Sequence, residues 1–341
     1  MSRARHAVGP GRVNLIGDHT DYNGGVALPM AIGLGVTVTF TPTDDSTLVA
    51  TSSSFPDRAV IPLDADPAGV EPAWARLVAA VATVARNRSG GTLTITSTLP
   101  VGSGLSSSAA LAVALASVFG LGSVAGTTAE SLAVLCQEAE HRIGVPVGLM
   151  DPLVCAGGRA GHAMLIDFDT LTTRHIPLPE DAEFVVVDSG QRRTLSSSAY
   201  ADRVAECRSA ADVVGPLGRC DQHDLATLRD PVLRRRARHV VTECARVRDT
   251  AVALAADDLV GAGALLTAGH RSLADDFAVS TPVVDHLVAD LGSRPGVLGA
   301  RMTGAGFGGC VVALTRPGAL DTRTWPTPAW RVAASDGTLA T

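Results

Sequence analysis

"GPGRVNLIGDHTDYNGG", residues 9–25, wraps a short apolar run, Val13-Asn14-Leu15-Ile16, in glycines, an arginine, two aspartates, a histidine and a tyrosine. The run reads as the first strand of the chain. A plain turn after it needs two or three polar or small residues. The excess in residues 17–25 marks a segment that binds something.

Working outward, 341 residues of which 46% are hydrophobic can bury a large core and imply two domains. Mean hydropathy is +0.25, yet no apolar run approaches the ~18 residues of a membrane span. Residues 1–8 lead straight into the Gly/Pro stretch without an apolar h-region, so a soluble cytoplasmic protein is expected rather than a secreted one. Net charge is −6, and the basic cluster Arg234-Arg235-Arg236 with Arg238 reads as the solvated face of a helix, not a nucleic-acid patch. All 28 basic residues are arginine. A GxxxxGK[ST] loop is therefore excluded, and phosphate chemistry would fall to backbone N–H groups, arginine and a metal. The six cysteines form no C-x-x-C pair and read as buried or incidental thiols.

Along the chain, residues 13–16, 34–40, 91–99, 161–167 and 183–188 read as strands, and 74–86, 106–119 and 128–143 as helices. Residues 43–72, with four prolines, read as loop. The pattern from Ser196 to about 256, and again over 258–275, is helical. Residues 297–314 return to strand around a glycine cluster, and the last twenty residues resist assignment. Helices and strands do not alternate regularly enough for a doubly wound sheet, so the fold class is α+β with a domain boundary near 180–195.

Two further segments share the polar, glycine-rich character of the first. Leu99-Pro-Val-Gly-Ser-Gly-Leu-Ser-Ser-Ser-Ala-Ala-Leu111 ends a strand and opens an Ala-rich helix with serines. Glycines admit close backbone approach, and a helix N-terminus attracts anions, so the segment suits phosphate. Arg301-Met-Thr-Gly-Ala-Gly-Phe-Gly-Gly-Cys310 has more glycine than a turn requires, but such a cluster alone is more often a bulge or turn. The acids Glu138, Glu140 and Asp151 follow the phosphate-type segment. Glu138 and Glu140 point in different directions on a helix. Asp151, between a glycine-containing segment and Pro152, reads by itself as a turn former beyond a helix end.

Together these segments resemble the GHMP kinase superfamily and, within it, the galactokinase family. GRVNLIGDHTDYNGG is similar to the family's sugar signature, LPVGSGLSSSAAL to its ATP-phosphate loop and RMTGAGFGGCVVAL to its third motif. Residues 187–207, 236–247 and 269–288 add matches in family order. The resemblance implies a two-domain GHMP kinase fold: a ribosomal-protein-S5-like N-terminal domain over 1–180 and a ferredoxin-like C-terminal domain over 181–341, with the active site between them. It implies ATP and Mg²⁺ as cofactors, a small-molecule sugar as substrate, no nucleic-acid or membrane partner, and a monomer. The reaction implied is ATP-dependent phosphorylation of the anomeric hydroxyl of α-D-galactose.

By position, the resemblance gives Asp151 the role of accepting the anomeric proton and sets Arg12 beside it and the γ-phosphate. Asp18, His19, Thr20 and Asp21 would bond the sugar, with Gly148 and Tyr200 completing that pocket. Gly102, Ser103, Gly104, Leu105, Ser106, Ser107 and Ser108 would wrap the phosphates, and Ser52 would approach the nucleotide. Ser108 and Glu140 would hold Mg²⁺, with Glu138 the alternative acid. Thr303 and Gly304 would face the same cleft.

This chain departs from the family at Asp18, usually Glu, at Pro152, usually Gln, and at Cys244, usually Asn. Those changes leave the identity of the sugar open. They also leave two alternatives: a sensor that binds sugar and ATP without turnover, and a kinase of the same superfamily acting on another acceptor.

Overall fold

The strand expected at 13–16 starts earlier and ends at Asn14, with Leu15 and Ile16 beyond it. In the computed structural model, which describes residues 3–100, 104–121, 126–145, 147–191 and 196–340, β1 spans Arg5–Asn14. It is followed by β2 (Val26–Ala27), β3 (Pro29–Thr43), β4 (Thr47–Ser52) and β5 (Phe55–Pro62). Helix α1 (Arg76–Val84) leads to β6 (Gly90–Ser97), then to α2 (Ser107–Val118), α3 (Ala129–Arg142) and α4 (Met150–Gly157). Strands β7 (His162–Asp167), β8 (Thr172–Pro177) and β9 (Glu183–Asp188) come next. The remainder is α5 (Ser196–Val214), α6 (Pro231–Ala255), α7 (Leu259–Asp275), α8 (Pro282–Gly292), β10 (Val297–Thr303), β11 (Cys310–Thr315) and β12 (Ala329–Val332).

Three sheets result. A five-stranded sheet has the order β1-β3-β6-β4-β5, a four-stranded one β10-β11-β9-β12, and a three-stranded one β2-β7-β8. Among the described residues only β4 and β6 pair in parallel. Helix α2 lies on β1 and β3, and α7 and α8 lie on β10. Helix α2 is Ala-rich because it is buried nearly all round, and small side chains let it approach the sheet. The limit of that approach is set at Gly9, where a Cβ would stand 1.9 Å from the Ala110 carbonyl oxygen. The first glycine of the opening motif thus lets the phosphate-type helix sit against the first strand.

Residues 43–72 are a correction. They hold the β4–β5 hairpin rather than a loop, and Pro56 and Pro62 fall on β5, the outermost strand, where a missing N–H breaks no ladder. The supposed solvated basic face also needs correcting at Arg236. Its side chain is buried, with Nε donating to Glu206 at 2.7 Å and Nη1 to the Asp276 carbonyl at 2.6 Å. The unassigned C-terminus supplies β12 to the second sheet and then crosses to the first. Ala334 bridges Ile32, the Ser335 N–H donates to the Ala31 carbonyl, and the Thr338 hydroxyl donates to the Val8 carbonyl at 2.8 Å. Among the described residues no helix is long and apolar enough to cross a membrane.

Candidate active site

Strand β1 delivers Arg12 to the N-terminal end of α2. The guanidinium donates from Nε and Nη2 to the two Asp151 carboxylate oxygens, both at 2.7 Å, and from Nη1 to the Gly104 carbonyl at 2.7 Å. The Arg12 backbone N–H donates to the Leu105 carbonyl at 3.2 Å. Ser106, in the left-handed region at φ +62°, turns its hydroxyl onto Asp151. The arginine is sealed while the carboxylate stays open to the cleft: their side-chain exposures are 7% and 31%. Asp151 lies not beyond a helix but in the first turn of α4. Pro152 fits there because N–H groups of a first turn have no intrahelical acceptor to lose.

Ser107 and Ser108 are exposed at the open start of α2. Gly102 and Ser103 lie outside the described residues. Glu140 is buried and bonded to Ser108; burial, then the Asp151 charge, pushes its carboxyl up to about 7, with the Ser108 hydrogen bond opposing. Glu138 instead faces outward and pairs with Arg142 at 2.8 Å. A hydroxyl and a carboxylate oxygen beside a second acid form a hard donor set that fits Mg²⁺, with phosphate oxygens and waters completing the shell. Ser52 ends β4 and accepts from the Ser54 N–H; no described contact ties it to Arg12 or Asp151.

The residues expected to hold a sugar divide into two groups. Asp21 stands half-buried beside Gly148, where a Cβ would come within 2.4 Å of its Oδ2 and shift the carboxylate from its present place. Burial, then the charge of Asp151, pushes Asp21 up to about 6. His19, at φ +66°, hydrogen-bonds Tyr22 through Nδ1 at 3.0 Å and packs its ring on Phe277 and Tyr200, with centroids 4.6 and 5.8 Å away. These residues form one polar, aromatic cluster, in which Asp21, Tyr22 and Tyr200 are half-buried and His19 is buried behind them. The second group departs from expectation. The Thr20 hydroxyl is buried and shared between the Gly17 and Val26 carbonyls, each 2.8 Å away, so it fixes the turn. Asp18 has only 2% of its side chain exposed. It accepts from Arg301 at 2.7 Å and from the Gly304 N–H at 2.8 Å, so it faces protein rather than the cleft. Burial pushes the Asp18 carboxyl up, and those two donors pull against it.

Sequence reasoning assigned no role to Arg301, Glu243 or His239. Arg301 donates to Glu243 at 2.7 Å, and both side chains are 0% exposed. Burial alone would raise Glu243, but Arg301, His239 and Arg246 outweigh it and hold the carboxyl at about 2. His239 bridges the Ser272 hydroxyl and the Asp18 carbonyl, and burial lowers it to about 4. Charged residues on a strand and a helix ordinarily read as surface; the only signal was their place inside the quoted motifs. Thr303 is buried as well, donating to the Asn14 carbonyl at 2.9 Å.

Comparison with known proteins fits this geometry. The family model for the galactokinase galactose-binding signature matches residues 2–42, that for the GHMP kinases N terminal domain 75–159, and that for the GHMP kinases C terminal 250–322. A galactokinase of Mycobacterium bovis is 46% identical over 321 residues, covering 89% of this chain and 87% of its own. One from Chloroflexus aggregans is 42% identical over 332 residues, covering 93% and 85%. The crystal structure of Lactococcus lactis galactokinase complexed with galactose superimposes with a TM-score of 0.89 at 29% identity, covering 98% of this chain and 95% of that one. Methanococcus jannaschii mevalonate kinase shares the fold at a TM-score of 0.68, 19% identity and coverages of 98% and 99%. With a 46% identical relative spanning most of both chains and Arg12, Asp151 and the α2 start gathered in one cleft, the chain belongs to the galactokinase family of the GHMP kinase superfamily.

Proposed function

We propose that this chain transfers the γ-phosphoryl group of ATP to the anomeric hydroxyl of a hexose, α-D-galactose, releasing ADP and galactose 1-phosphate. One observation carries the reading: a bidentate Arg12–Asp151 pair sits at the serine-lined start of α2, with the carboxylate open to the cleft. Asp151 takes the anomeric proton as the sugar oxygen attacks the γ-phosphorus and the bond to the β-phosphate oxygen breaks. Arg12 holds that carboxylate in place and offsets charge on the transferring group. The free N–H groups at the start of α2, with Gly104, Leu105, Ser106, Ser107 and Ser108, cradle the phosphates. Ser108 and Glu140 would hold Mg²⁺, which when bound neutralises phosphate charge. Asp21, His19 and Tyr200 supply the polar and aromatic wall for the sugar, with Gly148 leaving the space. On this reading residues 1–180 form one lobe and 181–341 the other, with the closing segment returning to β1 and β3.

The galactokinase relatives and the galactose complex of the L. lactis enzyme support galactose as the acceptor. The test is sugar-dependent ADP release across galactose, galactosamine, talose, glucose and arabinose, with the product's phosphorus position read by NMR. Galactose is expected to give the highest kcat/KM and a phosphorus coupled to the anomeric proton. No sugar-dependent release with any of them would overturn the reading.

A further inference from the structure

We propose that Asp18, Glu243 and Arg301 form a positioning clamp that sets the sugar-binding turn, and that Asp18 acts through this clamp without touching the sugar; the inference rests on the sugar-kinase reading above. One guanidinium joins three elements. Arg301, on β10, donates from Nη2 to Asp18 at 2.7 Å and from Nη1 to Glu243, on α6, at 2.7 Å. Each acid also accepts a backbone N–H of a glycine-rich turn: Glu243 that of Gly17 at 3.0 Å, Asp18 that of Gly304 at 2.8 Å. The Asp18 carbonyl is held in addition by His239. The turn before His19 is therefore tied at its N–H, its carboxylate and its carbonyl to side chains more than two hundred residues away.

The packing is built around this cation. A Cβ at Gly269, on α7, would stand 2.7 Å from Arg301 Nη1, so that helix keeps a glycine where the guanidinium lies. Arg246 adds a second cation at 2.8 Å from Glu243, so two acids face two cations. A buried ion cluster contributes little net stability compared with apolar packing of the same volume, because desolvation offsets the attraction. What it supplies here is geometry. His19 follows directly at φ +66°, a conformation a non-glycine residue keeps only where its surroundings over-determine it. A glutamate at position 18 would be longer by one methylene and would have to shift its carboxylate relative to both donors.

The test is steady-state kinetics with galactose and its 2-, 3-, 4- and 6-deoxy forms in wild type, Asp18→Asn and Glu243→Gln. A clamp predicts a sugar KM raised roughly tenfold in both variants, with kcat and the ATP KM within about twofold of wild type, the mark of lost uniform sugar binding. The same factor is expected for every sugar that wild type phosphorylates. A loss in Asp18→Asn that vanishes for one deoxy sugar would place the carboxylate on that hydroxyl and overturn the proposal. So would a folded Glu243→Gln with wild-type sugar KM. Should Asp18→Asn fail to fold, Glu243→Gln decides, since its amide oxygen still accepts from the Gly17 N–H. Absence of any sugar-dependent ADP release in wild type would instead sink the kinase reading.

Discussion

Asp151 meets the geometric demands of a general base: it is reachable, it is oriented by two parallel hydrogen bonds from Arg12, and it neighbours the helix start where phosphate would bind. Asp151→Asn keeps the shape and removes the proton acceptor. We expect turnover to fall by at least about a thousandfold, with ATP affinity by calorimetry within about threefold of wild type. A rate near wild type would remove the assignment. Asp21 offers a pH test. Its pKa of about 6 lies above the ordinary 3.8, so the folded protein binds this proton more tightly than the unfolded chain. That contribution is complete below pH 4 and is lost as pH rises through 6, where the ionised acid must be kept beside Asp151. Asp21→Asn should therefore melt higher than wild type at pH 8, by roughly 1–2 kcal/mol after allowing for partial exposure. The gain should vanish below pH 4 while sugar affinity drops at every pH. The gathering of Arg12 with Asp151 and of Asp21 with Gly148 was legible because the motif that carries Arg12 and Asp21 is continuous. Asp18 was not legible as a protein-facing acid, because its partner Arg301 comes 283 residues later.

Strand content was readable where apolar alternation ran unbroken, as in β6, and helix content where a run of good helix formers did, as in the Ala-rich α2. Both failed where proline interrupted the pattern at a position that tolerates it. Helix α4 carries Pro152 in its first turn, α8 opens with Pro282 after the Thr281 cap, and β5 bears its prolines on an outer edge. Local rules count proline as a breaker; the ends of helices and the edges of sheets are where it breaks nothing. The element that matters most to the site is α2, and its depth is set by Gly9. Gly9→Ala would put a methyl 1.9 Å from the Ala110 carbonyl oxygen, and backbone on both sides leaves the helix itself to move. We expect a loss of about 3 kcal/mol in denaturant midpoint analysis together with a several-fold higher ATP KM, since the helix start moves with the helix. Asp230→Ala serves as the comparison. It removes the cap that accepts from Val232 and Leu233 at the far end of α6 and should cost about 1 kcal/mol with kinetics unchanged. An ATP KM unmoved by Gly9→Ala would separate helix depth from phosphate binding.

At the scale of the whole molecule, two of the connections from the C-terminal sheet to the N-terminal one stand out beside single bonds such as that from the Thr303 hydroxyl to the Asn14 carbonyl. The first is the buried ionic clamp, polar and directional. The second is the closing segment, which leaves β12 in the second sheet and within a few residues pairs with β3 and β1 in the first. It fits tightly: a Cβ at Gly337 would lie 2.5 Å from the Ala156 carbonyl oxygen, so the strap also rests on α4, the helix that holds Asp151. Its crossing is made through the Ser335 N–H to Ala31 carbonyl, Gly337 N–H to Gly158 carbonyl, Ala160 N–H to Asp336 carboxylate and Thr338 hydroxyl to Val8 carbonyl bonds. At about 1 kcal/mol net for each hydrogen bond, with the burial of the segment added, removing residues 334–341 should cost roughly 4–6 kcal/mol. The larger consequence concerns cooperativity. With the strap in place the lobes share a covalent and a non-covalent tie, and calorimetry should give one transition whose calorimetric and van 't Hoff enthalpies agree. Without it, the ties that remain include a charged cluster that gains little net stability from its burial and the Thr303–Asn14 bond, so the lobes should uncouple and the transition broaden, with a calorimetric enthalpy exceeding the van 't Hoff value. Saturating galactose, which on the proposed reading touches both His19 and Tyr200, should narrow the truncated protein's transition again, because a ligand bound across the cleft restores the lost coupling. A truncated chain that unfolds as sharply as the full one, with or without sugar, would show that the lobes are coupled without the strap.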